Sequence, residues 1–199
     1  MAYDYAIVLT GGIATGKSTV CTILKTQGFD IIDADTIAKE ILPLHTQKVE
    51  ELFGKRVIRD GIIDRKALGT LIFNDKQERE KLNAFLHPLI RDEIYKRSSV
   101  LEEMKKPYII DIPLYFESNE YHCKVVVVVY APIEVQRKRL MLRENFTKEE
   151  AQKRIDAQIS IEEKRVMADF LINNSFDRKF LDEEIGKFMK FIKGKYASS

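Results

Sequence analysis

The chain has 199 residues, of which 45% are hydrophobic and 32% are charged, and this composition excludes a disordered chain. Its 33 Lys and Arg residues nearly balance 31 Asp and Glu residues, for a net charge of +2, whereas nucleic-acid-binding proteins usually carry a large positive surplus. The two cysteines, Cys21 and Cys123, are far apart in the sequence, so they predict neither a zinc site nor a disulfide framework and fit a reducing compartment.

Apolar runs of strand length alternate with helical patterns along the chain. The runs lie at residues 5–10, 29–32, 108–112, 125–130 and 168–172. Continuous β-branched runs are typical of strands that are buried on both faces, as in parallel sheets. The alternation therefore predicts an α/β fold with a five-stranded parallel sheet that is flanked by helices and joined by right-handed crossovers.

The segment between the second and third strands is too long for one crossover. Its apolar spacing predicts helices at residues 37–42, 48–53, 65–73, 80–85 and 89–101. We therefore expect a single domain over residues 1–199, with a core at 1–35 and 106–199 and a helical insert at 36–105. A last helical pattern begins after Asp177, which is predicted to cap it.

The strongest motif follows the first strand, where residues 11–18 read GGIATGKS and match G-x-x-x-x-G-K-[ST]. Gly11 and Gly16 allow the tight turn that points successive amides at a phosphate, and the following helix adds positive charge from its N-terminus. Lys17 is predicted to bind the β- and γ-phosphates and Ser18 to ligate Mg²⁺. The predicted ATP-binding residues in this loop are Gly11, Gly12, Ile13, Ala14, Thr15, Gly16, Lys17, Ser18 and Thr19.

A phosphate-binding loop alone does not reveal what the nucleotide is used for. GTPase switches require the strings N-K-x-D and D-x-x-G, and neither occurs in this sequence. A short chain with a helical insert and a late basic segment is more typical of a small-molecule kinase that uses Mg-ATP. The alternatives are another metabolite or nucleotide kinase and, from a different class, a nucleotide-dependent switch or binding module.

The late basic segment contains Arg139 and Arg143, four residues apart on a predicted helix. Two like charges at this spacing repel each other by about 0.2–0.5 kcal/mol unless an anion lies between them. The pattern therefore indicates phosphate contacts, although a solvated charged helix face would look the same. A second helix is predicted from the capping box at Thr147 to Glu150, with Ile159 on its apolar side, and the helical pair at about 140–167 would form a lid over ATP.

Acidic residues follow two of the predicted strands. Asp33 and Asp35 end the second strand, and ligands of open α/β sheets bind at the carboxyl ends of strands. An aspartate there could accept the proton of an acceptor hydroxyl, or Asp35 could simply cap a helix that begins at Thr36. Asp111 in the third strand could reach Mg²⁺ through water, or it could be an ordinary polar strand residue.

Several strings along the chain, taken together, resemble the dephospho-CoA kinase family. The resemblance covers residues 7–174 and is carried by the loop at 9–18, Asp33-Ala34-Asp35, His87-Pro88-Leu89-Ile90, Pro113-Leu114 with Phe116-Glu117, Gln136 with Lys138-Arg139-Leu140 and Arg143, and Arg154-Ile155 with Ala157-Gln158. Two positions depart from the family pattern. Ala14-Thr15 stands where members often have Gly-Ser, and 172–176 reads INNSF where members often read Ile-Asp-Asn-x-Gly.

The resemblance implies a P-loop kinase fold with a helical acceptor-binding insert and a helical lid. It implies transfer of phosphate from ATP to the 3′-hydroxyl of dephospho-CoA, the last step of coenzyme A synthesis. Asp35 would be the base, Arg139 would stabilise the transferring phosphoryl group, and Asn174 would lie near the adenine. The implied acceptor-site residues are Asp33, Asp35, His87, Pro113, Leu114, Tyr115 and Glu117, beside the ATP-binding residues Arg143 and Asn174 and the metal-binding residues Ser18 and Asp111 (the latter through water).

Expectations about partners follow from the same residues. The N-terminal residues lack the pattern of a signal peptide, and the longest apolar run, 125–132, is far shorter than the ~20 residues that span a bilayer. We expect a cytoplasmic enzyme with ATP and Mg²⁺ as cofactors, a small-molecule substrate, and neither a nucleic-acid nor a membrane partner. The sequence leaves the oligomeric state open between a monomer and a weak homo-oligomer.

Overall fold

The computed structural model describes residues 3–118, 121 and 123–196, so both ends of the predicted 1–199 domain lie outside the described residues. The elements in chain order are β1 (Ala6–Gly11), α1 (Lys17–Thr26), β2 (Ile31–Asp33), α2 (Ala34–Ile41), α3 (Thr46–Phe53), β3 (Ile58–Arg59), β4 (Ile62–Ile63), α4 (Arg65–Asn74), α5 (Lys76–Glu103), β5 (Tyr108–Asp111), α6 (Tyr115–Ser118), β6 (Val125–Tyr130), α7 (Ile133–Glu144), α8 (Lys148–Asp156), α9 (Ile161–Val166), β7 (Phe170–Asn173) and α10 (Arg178–Tyr196). Short 3₁₀ turns occupy Leu42–His45 and Lys55–Val57.

The main sheet has five strands in the order β2-β5-β1-β6-β7. Strand β1 is central, and it pairs in parallel with β5 on one side and with β6 on the other. All six residues of β1 are buried, as are five of the six residues of β6. The predicted α/β fold with five parallel strands is therefore confirmed, and each strand lies within two residues of its predicted position.

The chain folds as two compact units, one formed by residues 1–32 with 98–199 and the other by residues 33–97. The first unit has its core between the sheet and the helices α1 and α10. Leu9 and Val127 from adjacent strands belong to this core, together with Leu24 of α1 and Phe188 of α10. This packing fixes the end of β1 and the start of α1, where the loop 11–18 lies.

The second unit has its own apolar core, formed by Val49, Phe53, Val57, Leu68, Leu82 and Leu86. It contains a two-stranded hairpin, β3–β4, that sequence reasoning missed. Asp60 and Gly61 form its turn with φ values of 52° and 76°, and an Asp-Gly pair with two positive φ values is a typical hairpin turn. That dipeptide was the available signal.

Two helix predictions were wrong in detail. Residues 80–85 and 89–101 were predicted as separate helices, but α5 is continuous from Lys76 to Glu103 with Pro88 inside it. Ile159 was assigned to the helix that Thr147 begins, but α8 ends at Asp156. A second capping box, at Ser160 and Glu163, starts α9 instead.

Capping predictions elsewhere were confirmed. Thr147 and Glu150 form the expected reciprocal box at the start of α8. The Asp177 side chain accepts a hydrogen bond from the Phe180 amide at the start of α10. Among the described residues, no helix combines the length and the apolar character that a bilayer span requires.

Candidate active site

The loop after β1 has the geometry of a phosphate cradle. The backbone of residues 12–16 turns tightly, with the Thr15 amide and hydroxyl both donating to the Gly12 carbonyl oxygen, at 3.3 and 2.9 Å. Helix α1 begins at Lys17, and its first turn has no acidic residue. The positive end of the α1 dipole is therefore available to an anion at this turn.

Two glycines of the loop are required by close approaches. A Cβ at Gly11 would lie 2.8 Å from the Val129 carbonyl oxygen of the neighbouring strand. Gly16 has a φ of 89°, and a Cβ there would collide with the Asn174 side-chain amide. Only glycine fits both positions, as the motif predicts.

Ala14 also takes a conformation that favours glycine, with a φ of 58°. Alanine thus fits at this departure from the family pattern, but in a backbone conformation that L residues rarely adopt. The left-handed region costs a residue with a Cβ roughly 1 kcal/mol. The backbone at Ala14 is therefore in a conformation that glycine would adopt with less steric strain.

Arg139 and Asn174 both donate to the backbone carbonyl of the cradle. The Arg139 Nη1 and the Asn174 Nδ2 lie 3.2 and 2.8 Å from the Thr15 oxygen, and the Arg139 Nη2 donates to the Asn174 oxygen at 2.9 Å. Burial lowers the pKa of the Arg139 guanidinium from its ordinary value. Helix α7 and the end of β7 thus bring a partly desolvated cation and an amide to the loop.

Lys17 forms an ion pair with Asp111 at the end of β5, and the second carboxylate oxygen of Asp111 accepts from the Cys21 thiol at 3.1 Å. The Lys17 and Asp111 side chains are only 16% and 7% exposed. Asp111 therefore lies at the cradle, and the alternative of an ordinary strand residue does not account for its charged partner. Ser18, the next residue of α1, is exposed.

The donor set at this end of the sheet fits Mg²⁺ better than a soft metal. The Ser18 hydroxyl and the Asp111 carboxylate are oxygen donors, and Mg²⁺ commonly uses one or two such groups beside phosphate oxygens and water. Within residues 3–118, 121 and 123–196, no group of three or more His, Cys, Asp or Glu residues is arranged to hold a metal by itself. The arrangement thus suits a metal that arrives with a nucleotide.

The segment after β5, residues 113–117, is attached to β1 beside the cradle. The Thr10 hydroxyl donates to the Pro113 carbonyl oxygen at 3.1 Å. The Tyr115 hydroxyl donates to the Tyr121 carbonyl oxygen at 3.0 Å, so this predicted acceptor residue also has a structural contact. Leu114 is 46% exposed, which leaves an apolar side chain facing solvent at this edge.

Three polar residues near the cradle were given no role by sequence reasoning. Gln136 is buried, and its side-chain oxygen lies 2.8 Å from the position of a Cβ at Gly12. Gln158 accepts a hydrogen bond from the Ile13 amide at 2.9 Å. Lys164 is fully buried and donates to the Gly11 carbonyl oxygen at 3.2 Å. The two glutamines stood in the family-like strings, which was their only signal, and Lys164 had none.

The remaining predicted residues occupy other positions. Arg143, one turn beyond Arg139, is exposed and pairs with Glu144 at 2.8 Å. In the second unit, Asp33 caps α2 by accepting from the Thr36 amide at 3.0 Å, so the alternative in which Asp35 is the cap was wrong. Asp35 lies exposed in the first turn of α2, which begins at Ala34, and the half-buried His87 lies within α5.

Comparison with known proteins gives a consistent result. A family model described as dephospho-CoA kinase matches residues 5–179. A dephospho-CoA kinase of Sulfurimonas denitrificans is 47% identical over 196 residues, covering 98% of each chain. A dephospho-CoA kinase of Helicobacter pylori is 42% identical over 195 residues, covering 96% of this chain and 100% of that protein.

Solved structures agree with the sequence relatives. A dephospho-CoA kinase from Campylobacter jejuni superimposes with a TM-score of 0.70 at 35% identity, covering 96% of this chain and 98% of the other. The protein TT1252 from Thermus thermophilus gives a TM-score of 0.79 at 30% identity, with coverage of 94% and 97%. A shikimate kinase from Acinetobacter baumannii, at 17% identity and a TM-score of 0.52, shares the fold alone.

Proposed function

Because this chain belongs to the dephospho-CoA kinase family, we propose that it transfers the γ-phosphoryl group of ATP to the 3′-hydroxyl of dephospho-CoA. A bond forms between the acceptor oxygen and the γ-phosphorus while the bond from that phosphorus to the β,γ-bridging oxygen breaks. The products are coenzyme A and ADP. Binding of the nucleotide is supported by the cradle of residues 11–18, which contains Lys17 and whose Thr15 carbonyl accepts a hydrogen bond from Arg139.

The cradle supplies the electrostatic part of the reaction. Its amides and the N-terminus of α1 would hold the phosphate oxygens, and Lys17 would exchange Asp111 for the β- and γ-phosphates. Arg139 is already held at the loop by the Thr15 carbonyl and would add charge where negative charge develops in the transition state. Asn174 fixes the position of that arginine through its own backbone oxygen.

Mg²⁺ would be bound by the Ser18 hydroxyl and, through water, by Asp111. When bound, the metal neutralises charge on the transferring phosphate. When Lys17 turns to the phosphates, the Cys21 thiol would still donate to Asp111 and keep that carboxylate in place. Arg143 and Thr19 are proposed to complete the contacts with ATP.

The acceptor side is proposed from the family resemblance together with residue chemistry. Asp35 would take the proton of the attacking hydroxyl, since its carboxylate lies in the first turn of α2 and is exposed to a ligand. Asp33, His87, Pro113, Leu114, Tyr115 and Glu117 are proposed to line the site of dephospho-CoA. We further propose one catalytic domain, with the insert on the acceptor side and the segment 140–167 as a lid, acting in the cytoplasm.

The rival functions predict different products from the same mixture. Purified protein is incubated with Mg-ATP and a panel of hydroxyl acceptors that includes dephospho-CoA, shikimate and nucleosides, and both ADP and the phosphorylated acceptor are measured. With dephospho-CoA as the acceptor, we expect equal amounts of ADP and coenzyme A. With each of the other acceptors, we expect no phosphorylated product. Phosphorylation of a different acceptor would indicate another kinase, and slow ATP hydrolysis that ignores every acceptor would indicate a switch or binding module.

A further inference from the structure

Lys164 in α9 is a buried cation that the proposed reaction does not use. Its side chain has 0% exposure, and it is among the largest fully buried side chains of the described residues. Removing an ammonium group from water costs several kcal/mol unless partners compensate for it. The contacts that compensate for this cost are therefore informative.

The Lys164 ammonium bridges two segments that are far apart in sequence. It donates to the Gly11 carbonyl oxygen at 3.2 Å, at the start of the cradle, and pairs with the Glu117 Oε1 at 2.7 Å, at the end of the 113–117 segment. The same Glu117 oxygen accepts from the Ile159 amide at 3.2 Å. One buried cation therefore joins the cradle, the 113–117 segment and the chain before α9.

A second contact from the same stretch of chain acts in the same direction. Gln158 precedes Ile159, and its side-chain oxygen accepts from the Ile13 amide inside the cradle at 2.9 Å. Residues 158–164 thus bind the cradle at both Gly11 and Ile13, and bind Glu117 through both Ile159 and Lys164. The polar contacts of this stretch are directional, unlike the apolar packing around it, so they fix distances rather than merely add stability.

We propose that Lys164 is a positioning residue for phosphoryl transfer, which sets the spacing between the phosphate cradle and the 113–117 segment. This inference rests on the proposed function, in which that segment lines the acceptor site. In-line transfer needs the reacting atoms about 3–3.5 Å apart, and a misplacement of about 1 Å can cost on the order of 100-fold in rate. Lys164 touches neither substrate in this scheme and acts through Gly11 and Glu117.

The test compares Lys164→Met, which keeps the length of the side chain and removes its charge, with Lys187→Met as the matched control. Lys187 also pairs with a glutamate, Glu184, but its side chain is 64% exposed. The measurements are kcat and KM with both substrates, the ratio of ADP to coenzyme A, and amide exchange of residues 12–15 and 114–118. All are made at a temperature where circular dichroism shows a folded variant.

For Lys164→Met we expect a fall in kcat of roughly 10- to 100-fold with a KM for ATP close to that of the wild type. We also expect more than one ADP per coenzyme A, and faster amide exchange in both segments. Lys187→Met should match the wild type in every measurement. A kcat within about twofold of the wild type, or unchanged exchange in the two segments, would overturn the inference.

Two further controls keep the outcome decisive. If Lys164→Met does not fold, Lys164→Gln takes its place, because it keeps a neutral donor for the Gly11 carbonyl and removes the charge that pairs with Glu117. For this variant we expect faster exchange of residues 114–118 with a lower kcat, and unchanged exchange there would overturn the inference. If the wild type forms no coenzyme A, the proposed function fails, while the exchange measurement still decides whether Lys164 holds the two segments. The two failures are therefore distinguishable.

Discussion

Lys17 and Asp111 form an ion pair that joins the first residue of α1 to the last residue of β5. Both side chains are largely buried, so the pair is shielded from water and from salt. The lysine that should bind phosphate is therefore held in place by the carboxylate that should bind the metal. Entry of Mg-ATP would give each of the two groups a new partner of opposite charge.

This relationship predicts the metal dependence of nucleotide binding. Asp111→Asn should bind ATP in EDTA at least as tightly as the wild type, because Lys17 no longer has to leave a carboxylate. Addition of Mg²⁺ should tighten ATP binding by the wild type and have little effect on the variant. Calorimetric titration with and without Mg²⁺ measures both affinities, with Asp182→Asn on α10, whose partner is the exposed Arg178, as the control.

A variant that keeps the full Mg²⁺ enhancement would remove Asp111 from the metal site. Its role would then be limited to holding Lys17. Because removal of one partner leaves the other buried charge uncompensated, we also expect a loss of about 1–3 kcal/mol in the free energy of unfolding.

Asp35 is predicted to be the general base. Replacement by asparagine keeps the shape of the side chain and removes the proton acceptor, so Asp35→Asn should lower kcat by about 10²- to 10⁴-fold. Asp64→Asn is the control, since Asp64 is a helix-capping aspartate of the same unit at the start of α4. Full activity of Asp35→Asn would exclude the base assignment.

Ala14 offers a prediction about stability. Its φ of 58° is strained for alanine and ordinary for glycine, although glycine loses more entropy on folding. Ala14→Gly should therefore raise the free energy of unfolding by about 0.5–1 kcal/mol. Ala38→Gly, within α2, should lower it by about 1 kcal/mol. Urea unfolding of the two variants gives the comparison, and a destabilised Ala14→Gly would show that the loop is not strained at this residue.

The buried thiol of Cys123 should make the free energy of unfolding fall at alkaline pH. Burial raises the pKa of its thiol from an ordinary 9.0 to about 12, and the Glu102 carboxylate contributes to the rise. A raised folded pKa of an acid means that the folded state holds the proton more tightly than the unfolded state. The resulting stability is complete below pH 9 and is lost as the pH rises towards 12.

Between pH 9 and 10 the free energy of unfolding should therefore fall by up to about 1.4 kcal/mol per pH unit from this group. Burial also raises the pKa of Tyr196, to about 12, so a further loss begins near pH 10. Urea unfolding of the wild type and Cys123→Ala at pH 8, 9 and 10 tests the assignment. Equal slopes in the two proteins would contradict it.

Much of the fold could be predicted because its signals are local. The β-branched run at 125–130 predicted β6 with its bounds, and the loop motif predicted a following helix, which is α1 from Lys17. The hairpin turn at Asp60-Gly61 was missed because its strands are only two residues long. Residues 80–85 and 89–101 were predicted as separate helices, whereas one helix runs through Pro88 between them.

The site was only partly predictable for a different reason. Arg139 and Asn174 were identified from the family-like strings and Asp111 from its place in the third predicted strand. Their partners are backbone carbonyls and Lys17, which no spacing rule indicates. Lys164 lies 153 residues from Gly11 in sequence, and a lysine in an amphipathic helix ordinarily predicts an exposed charge. Contacts at such separations depend on the tertiary fold, and the pattern of α9 alone does not contain them.

We propose that the cradle and Arg139 together drive phosphoryl transfer to the 3′-hydroxyl of dephospho-CoA. The direct measurement is single-turnover transfer from γ-labelled ATP, with the position of the phosphate on the product assigned by phosphorus NMR, for the wild type and Arg139→Ala. We expect label on the 3′-oxygen with the wild type and a rate about 10³- to 10⁵-fold lower for Arg139→Ala. Label on any other atom, or near-normal transfer by Arg139→Ala, would contradict it.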